Sequence, residues 1–100
     1  MIMVTAFLKA KPGMETQVRE AASSVVGPSR SESGLLDIHL NESLDTPGSF
    51  VFITRWKTDS DFDQHLKTPY VKAFLEKVPN LLVSPPDVRR WKVIAPAQGK

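Results

Sequence analysis

The chain has 100 residues, 41% of them hydrophobic and 24% charged, the composition of one small globular domain. Its net charge of +2 argues against a nucleic-acid partner. The absence of cysteine excludes disulfides, thiolate nucleophiles and cysteine-based zinc or iron–sulfur sites together.

Residues 2–9, Ile-Met-Val-Thr-Ala-Phe-Leu-Lys, are β-rich and run into Pro12-Gly13, which predicts a buried first strand and a turn. Met14, Val18, Ala21, Ala22 and Val25 then recur at i, i+4, i+7, i+8 and i+11, one apolar helical stripe. By local rules Gly27-Pro28 should stop that helix. Gly34 opens a second strand over 35–43, in which Leu36, Ile38 and Leu40 alternate with Asp37, His39 and Asn41. Asp45, Pro47 and Gly48 suit a turn into a third strand over 50–57. That strand carries Phe50, Phe52 and Trp56 on one face and Val51, Ile53 and Arg55 on the other.

Thr58 and Asp61 have capping-box spacing and predict a short helix to about Lys67, with His65 beside its apolar face of Phe62 and Leu66. Thr68-Pro69 restarts the chain as N-cap and first helical residue. Val71, Phe74, Leu75 and Val78 give that helix its stripe, and Pro79 is expected to end it. After Pro85-Pro86 a last strand runs from Val88 to Ile94. Its Arg89, Arg90 and Lys92, around Trp91, fit a solvated strand face better than a nucleic-acid footprint. Residues 1–95 are expected to form a single domain, with 96–100 a frayed tail. No apolar run approaches the ~20 residues of a membrane span. The N-terminus has no signal-peptide pattern, so a cytoplasmic setting is expected.

The order β-α-β-β-α(α)-β predicts a ferredoxin-like α+β fold, a four-stranded antiparallel sheet with helices on one face. The other face is partly apolar and uncovered, which predicts a homodimer through it.

Three stretches resemble the antibiotic biosynthesis monooxygenase family. They are Phe7-Leu8-Lys9-Ala10-Lys11-Pro12-Gly13-Met14-Glu15, the hairpin segment from Asn41 to Phe52, and Arg55-Trp56-Lys57 followed by His65-Leu66-Lys67-Thr68-Pro69-Tyr70-Val71-Lys72-Ala73-Phe74. With Pro86 to Val93 the likeness spans nearly the whole chain. The resemblance implies a dimeric α+β barrel, and a first helix that runs past Gly27-Pro28 toward Ser31. It also implies a pocket between sheet and helices, and oxidation of quinol-type or polyketide aromatics by molecular oxygen without a bound cofactor. Relatives with this fold also isomerise small metabolites, degrade haem, or have no known activity, so fold alone does not set the reaction. The haem-degrading branch carries an asparagine, a tryptophan and a ligand histidine where this chain has Ala6, His65 and Leu75, so the resemblance does not extend to that activity.

His65 is the sharpest candidate for chemistry, because a histidine beside the buried stripe can take a proton from a phenol or quinol. Trp56, Tyr70 and Phe74 are candidate walls for a flat aromatic ligand, and Tyr70 could donate a hydrogen bond to it, although all three also suit plain core packing. His39 and Asn41 share a strand face and could orient a substrate oxygen or stand in the dimer barrel. Neither histidine has metal-ligand spacing, so no metal is expected. Many relatives have an acidic residue where this chain has Thr54, and a second histidine where it has Tyr70. A carboxylate–histidine pair in that region is therefore expected to be missing, and with it the family's usual acid/base arrangement. An isomerase using His65, or a non-catalytic binding module, would satisfy the same residues.

Overall fold

The computed structural model describes residues 1–95. They run β1 (Ile2–Lys9), α1 (Glu15–Ser29), β2 (Leu35–Glu42), β3 (Ser49–Trp56), α2 (Asp59–His65), α3 (Pro69–Leu81) and β4 (Asp87–Lys92). Every strand pairing is antiparallel, and the order across the sheet is β2-β3-β1-β4. Each helical connection therefore skips one strand before the chain rejoins the sheet, the split βαβ arrangement of the ferredoxin-like α+β fold. This is the expected fold class. The expectation of a frayed tail over 96–100 lies outside the described residues.

Strand register decides which side chains the helices meet. Val4 pairs with Thr54, Ala6 with Phe52 and Leu8 with Phe50, so the even-numbered residues of the two central strands share one face. Val18, Ala22 and Val25 of α1, with Val71, Phe74 and Val78 of α3, join Leu8 and Phe50 there in one core cluster. A second cluster, Val4, Trp56 and Phe62, forms where β1 and β3 meet α2. Burying each such side chain is worth about 1.5–3 kcal/mol. The odd-numbered face carries Met3, Phe7, Val51, Ile53 and Trp91 and has no helix over it; Phe7 and Trp91 are among the exposed large hydrophobics.

Three local expectations are corrected. Helix α1 does not stop at Gly27-Pro28 but includes Pro28 and ends at Ser29. Gly27 has no Cβ to meet the proline ring, and the buried Ser29 donates its hydroxyl to the Val25 carbonyl at 2.7 Å, tying the last turn down. Pro79 does not end α3 either. The helix continues to Leu81 because Leu81 and Leu82 are buried in the main cluster. Lys11 Nζ also donates to the Pro79 carbonyl at 2.7 Å. Finally, Leu36 does not share the inner face with Ile38 and Leu40. The β2–β3 register shifts between Leu35 and Asp37, so Leu35 packs against the second cluster and Leu36 is left 43% exposed.

Gly34 sits where β2 begins, and its carbonyl accepts the Lys57 N–H at 2.9 Å. A Cβ built there would lie 2.2–2.5 Å from Asp61 side-chain atoms. Asp61 is held by the capping box it forms with Thr58, so it has little freedom to retreat. Gly34→Ala should therefore lower the unfolding free energy by about 1–3 kcal/mol, the usual cost of overpacking. Urea denaturation followed by circular dichroism would measure it, and an unchanged midpoint would rule out the tight approach of loop and helix.

Candidate functional site

A cavity of about 80 Å³ lies between the sheet and the α2–α3 segment. Val4, Ala6, Phe52 and Thr54 supply its floor from the central strands. Val71 and Phe74 of α3 lie above it, and Pro86 and Val88 lie at the β4 side. Leu66 and Leu75 also line it, and at 38% and 42% exposure they form its rim to solvent.

Thr54 and His65 are the only polar side chains among the lining residues. The Thr54 hydroxyl is already committed. It accepts the indole N–H of Trp56 at 2.8 Å and donates to the Val4 carbonyl at 3.4 Å. His65 is thus the polar group left for a ligand.

Helix α2 is positioned by its capping box: the Thr58 hydroxyl accepts the Asp61 N–H, and the Asp61 carboxylate accepts the Thr58 N–H. At its other end the His65 carbonyl accepts the Thr68 hydroxyl at 2.7 Å. This places the His65 ring against Trp56, with ring centres 4.8 Å apart, and against Phe62 at 5.9 Å. His65 Nδ1 lies 2.7 Å from Glu32 Oε2, and the Tyr70 hydroxyl donates to the same oxygen at 2.5 Å. An ionised carboxylate only accepts, so the histidine must present Nδ1–H to it. Nε2 is then the nitrogen left for the cavity. Burial, reinforced by the hydrogen bond and charge of Glu32, pushes the Tyr70 phenol up to about 12.

The residues singled out from the sequence are thereby sorted. His65 and Phe74 line the cavity. Trp56 does not; fully buried at the end of β3, it backs the imidazole from behind. Tyr70 does not line it either, and its proton is given to Glu32 rather than held for a ligand. His39 and Asn41 are exposed on β2 and pair with Ile53 and Val51, on the sheet face turned away from the cavity. Among the described residues no group of three or more His, Cys, Asp or Glu could hold a metal.

Positions 54 and 70 supply no carboxylate–histidine pair, as expected, yet His65 has a carboxylate beside it. The carboxylate comes from Glu32, 33 residues before His65, in the connection between α1 and β2. Within Ser31-Glu32-Ser33 it has the local pattern of a solvated loop, and nothing in its neighbourhood marks the partner.

Comparison with known proteins places these features in a wider set. The family model described as "Antibiotic biosynthesis monooxygenase" matches residues 1–77. The Bacillus subtilis (strain 168) protein "Putative monooxygenase YcnE" is 32% identical over 93 residues, 93% of this chain and 98% of that one. The Synechocystis protein "Uncharacterized protein sll1783" is 32% identical over 92 residues, 92% of this chain, which spans 63% of that protein's length. The solved structure of Rv0793 from Mycobacterium tuberculosis superposes with a TM-score of 0.90 at 25% identity, over 97% of this chain and 98% of that one. No helix among the described residues is long and apolar enough to cross a membrane.

Tyr70 is the single tyrosine, so its ionisation can be followed by absorbance near 295 nm without ambiguity. The folded state favours the neutral phenol. Its contribution to stability is therefore complete below the ordinary value of 10.0 and is lost as pH rises through about 12. At pH 11 roughly a tenth of the folded protein should carry tyrosinate, against roughly nine tenths of the unfolded chain. Glu32→Gln removes a charge that opposes ionisation and should bring the midpoint down. A native midpoint near 10 would contradict the half-buried Tyr70–Glu32 contact.

Proposed function

The chain belongs to the antibiotic biosynthesis monooxygenase family, and from that premise we propose that it is a cofactor-independent monooxygenase of small, uncharged hydroxylated aromatics or quinols, with His65 as general base. One observation carries the reading: His65, with Nδ1 bonded to Glu32, is the one polar side chain on the wall of an otherwise apolar cavity that keeps a ring nitrogen, Nε2, without a partner.

In this reading Nε2 takes the proton of a substrate hydroxyl and leaves an electron-rich anion. The anion supplies to oxygen the electron that a metal or flavin supplies elsewhere. The resulting radical pair joins through a new carbon–oxygen bond, and the peroxide breaks with loss of water. The substrate loses two hydrogens and gains one oxygen atom, while the second oxygen atom and the two hydrogens leave as water. Apolar walls admit oxygen and keep solvent from quenching the intermediates.

The cavity also speaks to substrate class. No lysine or arginine lines it, so a phosphate or carboxylate would be buried without a counter-charge. Its volume of about 80 Å³ is below the roughly 150 Å³ of an apolar cavity known to hold benzene. A ring therefore needs more room than the closed part of the cavity gives, and the exposed rim at Leu66 and Leu75 is where it would enter.

The uncovered sheet face supports a homodimer in the same reading. Met3, Phe7, Val51, Ile53 and Trp91 would be removed from water by the same face of a second copy. Sedimentation equilibrium should return twice the 11.1 kDa chain mass. Ile53→Glu, which puts a charge at the centre of that face, should give a folded monomer. A monomeric wild type would remove the dimer from the proposal.

Oxygen uptake by metal-stripped protein over a panel of hydroquinones and polyhydroxylated aromatics tests the activity. Uptake should fall about 10²–10⁴-fold in His65→Ala. If no substrate gives uptake while fold and assembly are intact, the oxygenase reading fails. Turnover under nitrogen would then separate an isomerase from a binding module.

A further inference from the structure

The reaction just described uses His65 and gives no part to Glu32, although Glu32 is the hydrogen-bond partner of the imidazole ring. We propose that Glu32 is the positioning residue of the site: its carboxylate holds His65 as the Nδ1–H tautomer, leaving the Nε2 lone pair toward the cavity, and Tyr70 locks the carboxylate in place. The inference rests on the reading of His65 as the base.

The first support is chemical. A neutral imidazole has one N–H and one lone pair, and the hydrogen bond made by one nitrogen decides which role the other takes. With Glu32 Oε2 at 2.7 Å, Nδ1 must donate, and Nε2 is left able to accept a proton. With the opposite tautomer the cavity would meet an N–H and the carboxylate would meet a lone pair. In hydrolytic triads a misassigned tautomer of this kind costs about 10⁴-fold in turnover.

The second support is that the carboxylate is built in rather than dangling. The side chains of His65 and Glu32 are only 10% and 16% exposed, so the pair is shielded from water. Glu32 is pinned through its own backbone: its N–H donates to the Ser29 carbonyl at 3.0 Å, and its carbonyl accepts the Leu35 N–H at 3.1 Å. Gly34, two residues on, allows this turn to lie against Asp61 of α2. Tyr70, from the first turn of α3, adds a second donor to the same oxygen. The carboxylate thus bridges three segments, and rotating it away from His65 would break both bonds at once.

Nitrogen-15 shifts of the His65 ring test this directly in the resting protein. The chain has two histidines, so His39→Gln assigns the signals. In wild type at a pH where His65 is neutral, Nδ1 should be the protonated nitrogen and Nε2 the bare one. Glu32→Ala should shift the population toward Nε2–H and lower kcat for oxygen uptake about 10²–10⁴-fold, with KM changed less than about threefold. Tyr70→Phe, which keeps the carboxylate and removes one donor, should keep the tautomer and lose much less of kcat. If Glu32→Ala fails to fold, the isosteric Glu32→Gln gives the ring shifts and kcat instead. A wild-type ring protonated at Nε2, or a tautomer population and kcat unmoved by loss of the carboxylate, overturns the proposal. The ring shifts need no substrate, so they decide the role of Glu32 even if no oxygen uptake is found.

Discussion

Packing of α1 and α3 against the even-numbered face of β1 and β3 buries Leu8, Val18, Phe50, Phe74 and their neighbours, and the rest of the molecule follows from how far that packing reaches. The helix layer is narrower than the sheet. Strand β4 hydrogen-bonds along β1 from Ile2 to Phe7, yet every one of its residues is exposed. At this margin a void is left between α3, β1 and β4, and the short helix α2 turns its last residue, His65, into the void's wall. The same one-sided covering leaves Met3, Phe7, Ile53 and Trp91 on a face with no helix over it. Cavity and bare sheet face are thus two consequences of one packing arrangement.

Around the cavity, polar groups are used sparingly. Trp56 satisfies its indole N–H with Thr54, and Thr54 spends its own proton on the sheet, so neither competes for a ligand. The aromatic rings of Trp56 and Phe62 surround the imidazole without offering it a hydrogen bond. Arg90 closes the outer side of Phe62, its guanidinium 4.9 Å from the ring centre and paired with Asp59 and Asp63. A charge or hydrogen bond is stronger in such surroundings than in water, which makes the one carboxylate at the histidine consequential. The backbone arrangement recurs at a TM-score of 0.90 with a quarter of the residues identical, as expected when apolar periodicity sets the fold and a few side chains set the chemistry.

Much of this was legible along the chain because it is written in local repeats. The alternation in β3, the stripe from Met14 to Val25 and the Thr58–Asp61 cap each report on residues within a few positions of one another, and each element formed where they pointed. Local rules misjudged Pro28 and Pro79, where burial of Ser29 and Leu81 outweighs a missing backbone donor. They misjudged Leu36 as well, because a bulge exchanges the faces of a strand without leaving a mark in the alternation.

The sequence by itself determined the order of elements and the two-faced alternation of β3, since these depend on periodicity, and residue type made His65 a candidate. Only the tertiary structure decided what surrounds that histidine. Glu32 meets His65 across 33 positions and Tyr70 across 38. Trp56 was turned from a pocket wall into a backing for the ring, and His39 and Asn41 were set on the far side of the sheet. The physical reason is that a hydrogen bond between side chains is specified by where two backbones pass in space. A glutamate in a serine-rich turn has the same local pattern whether it faces water or, as here, an imidazole.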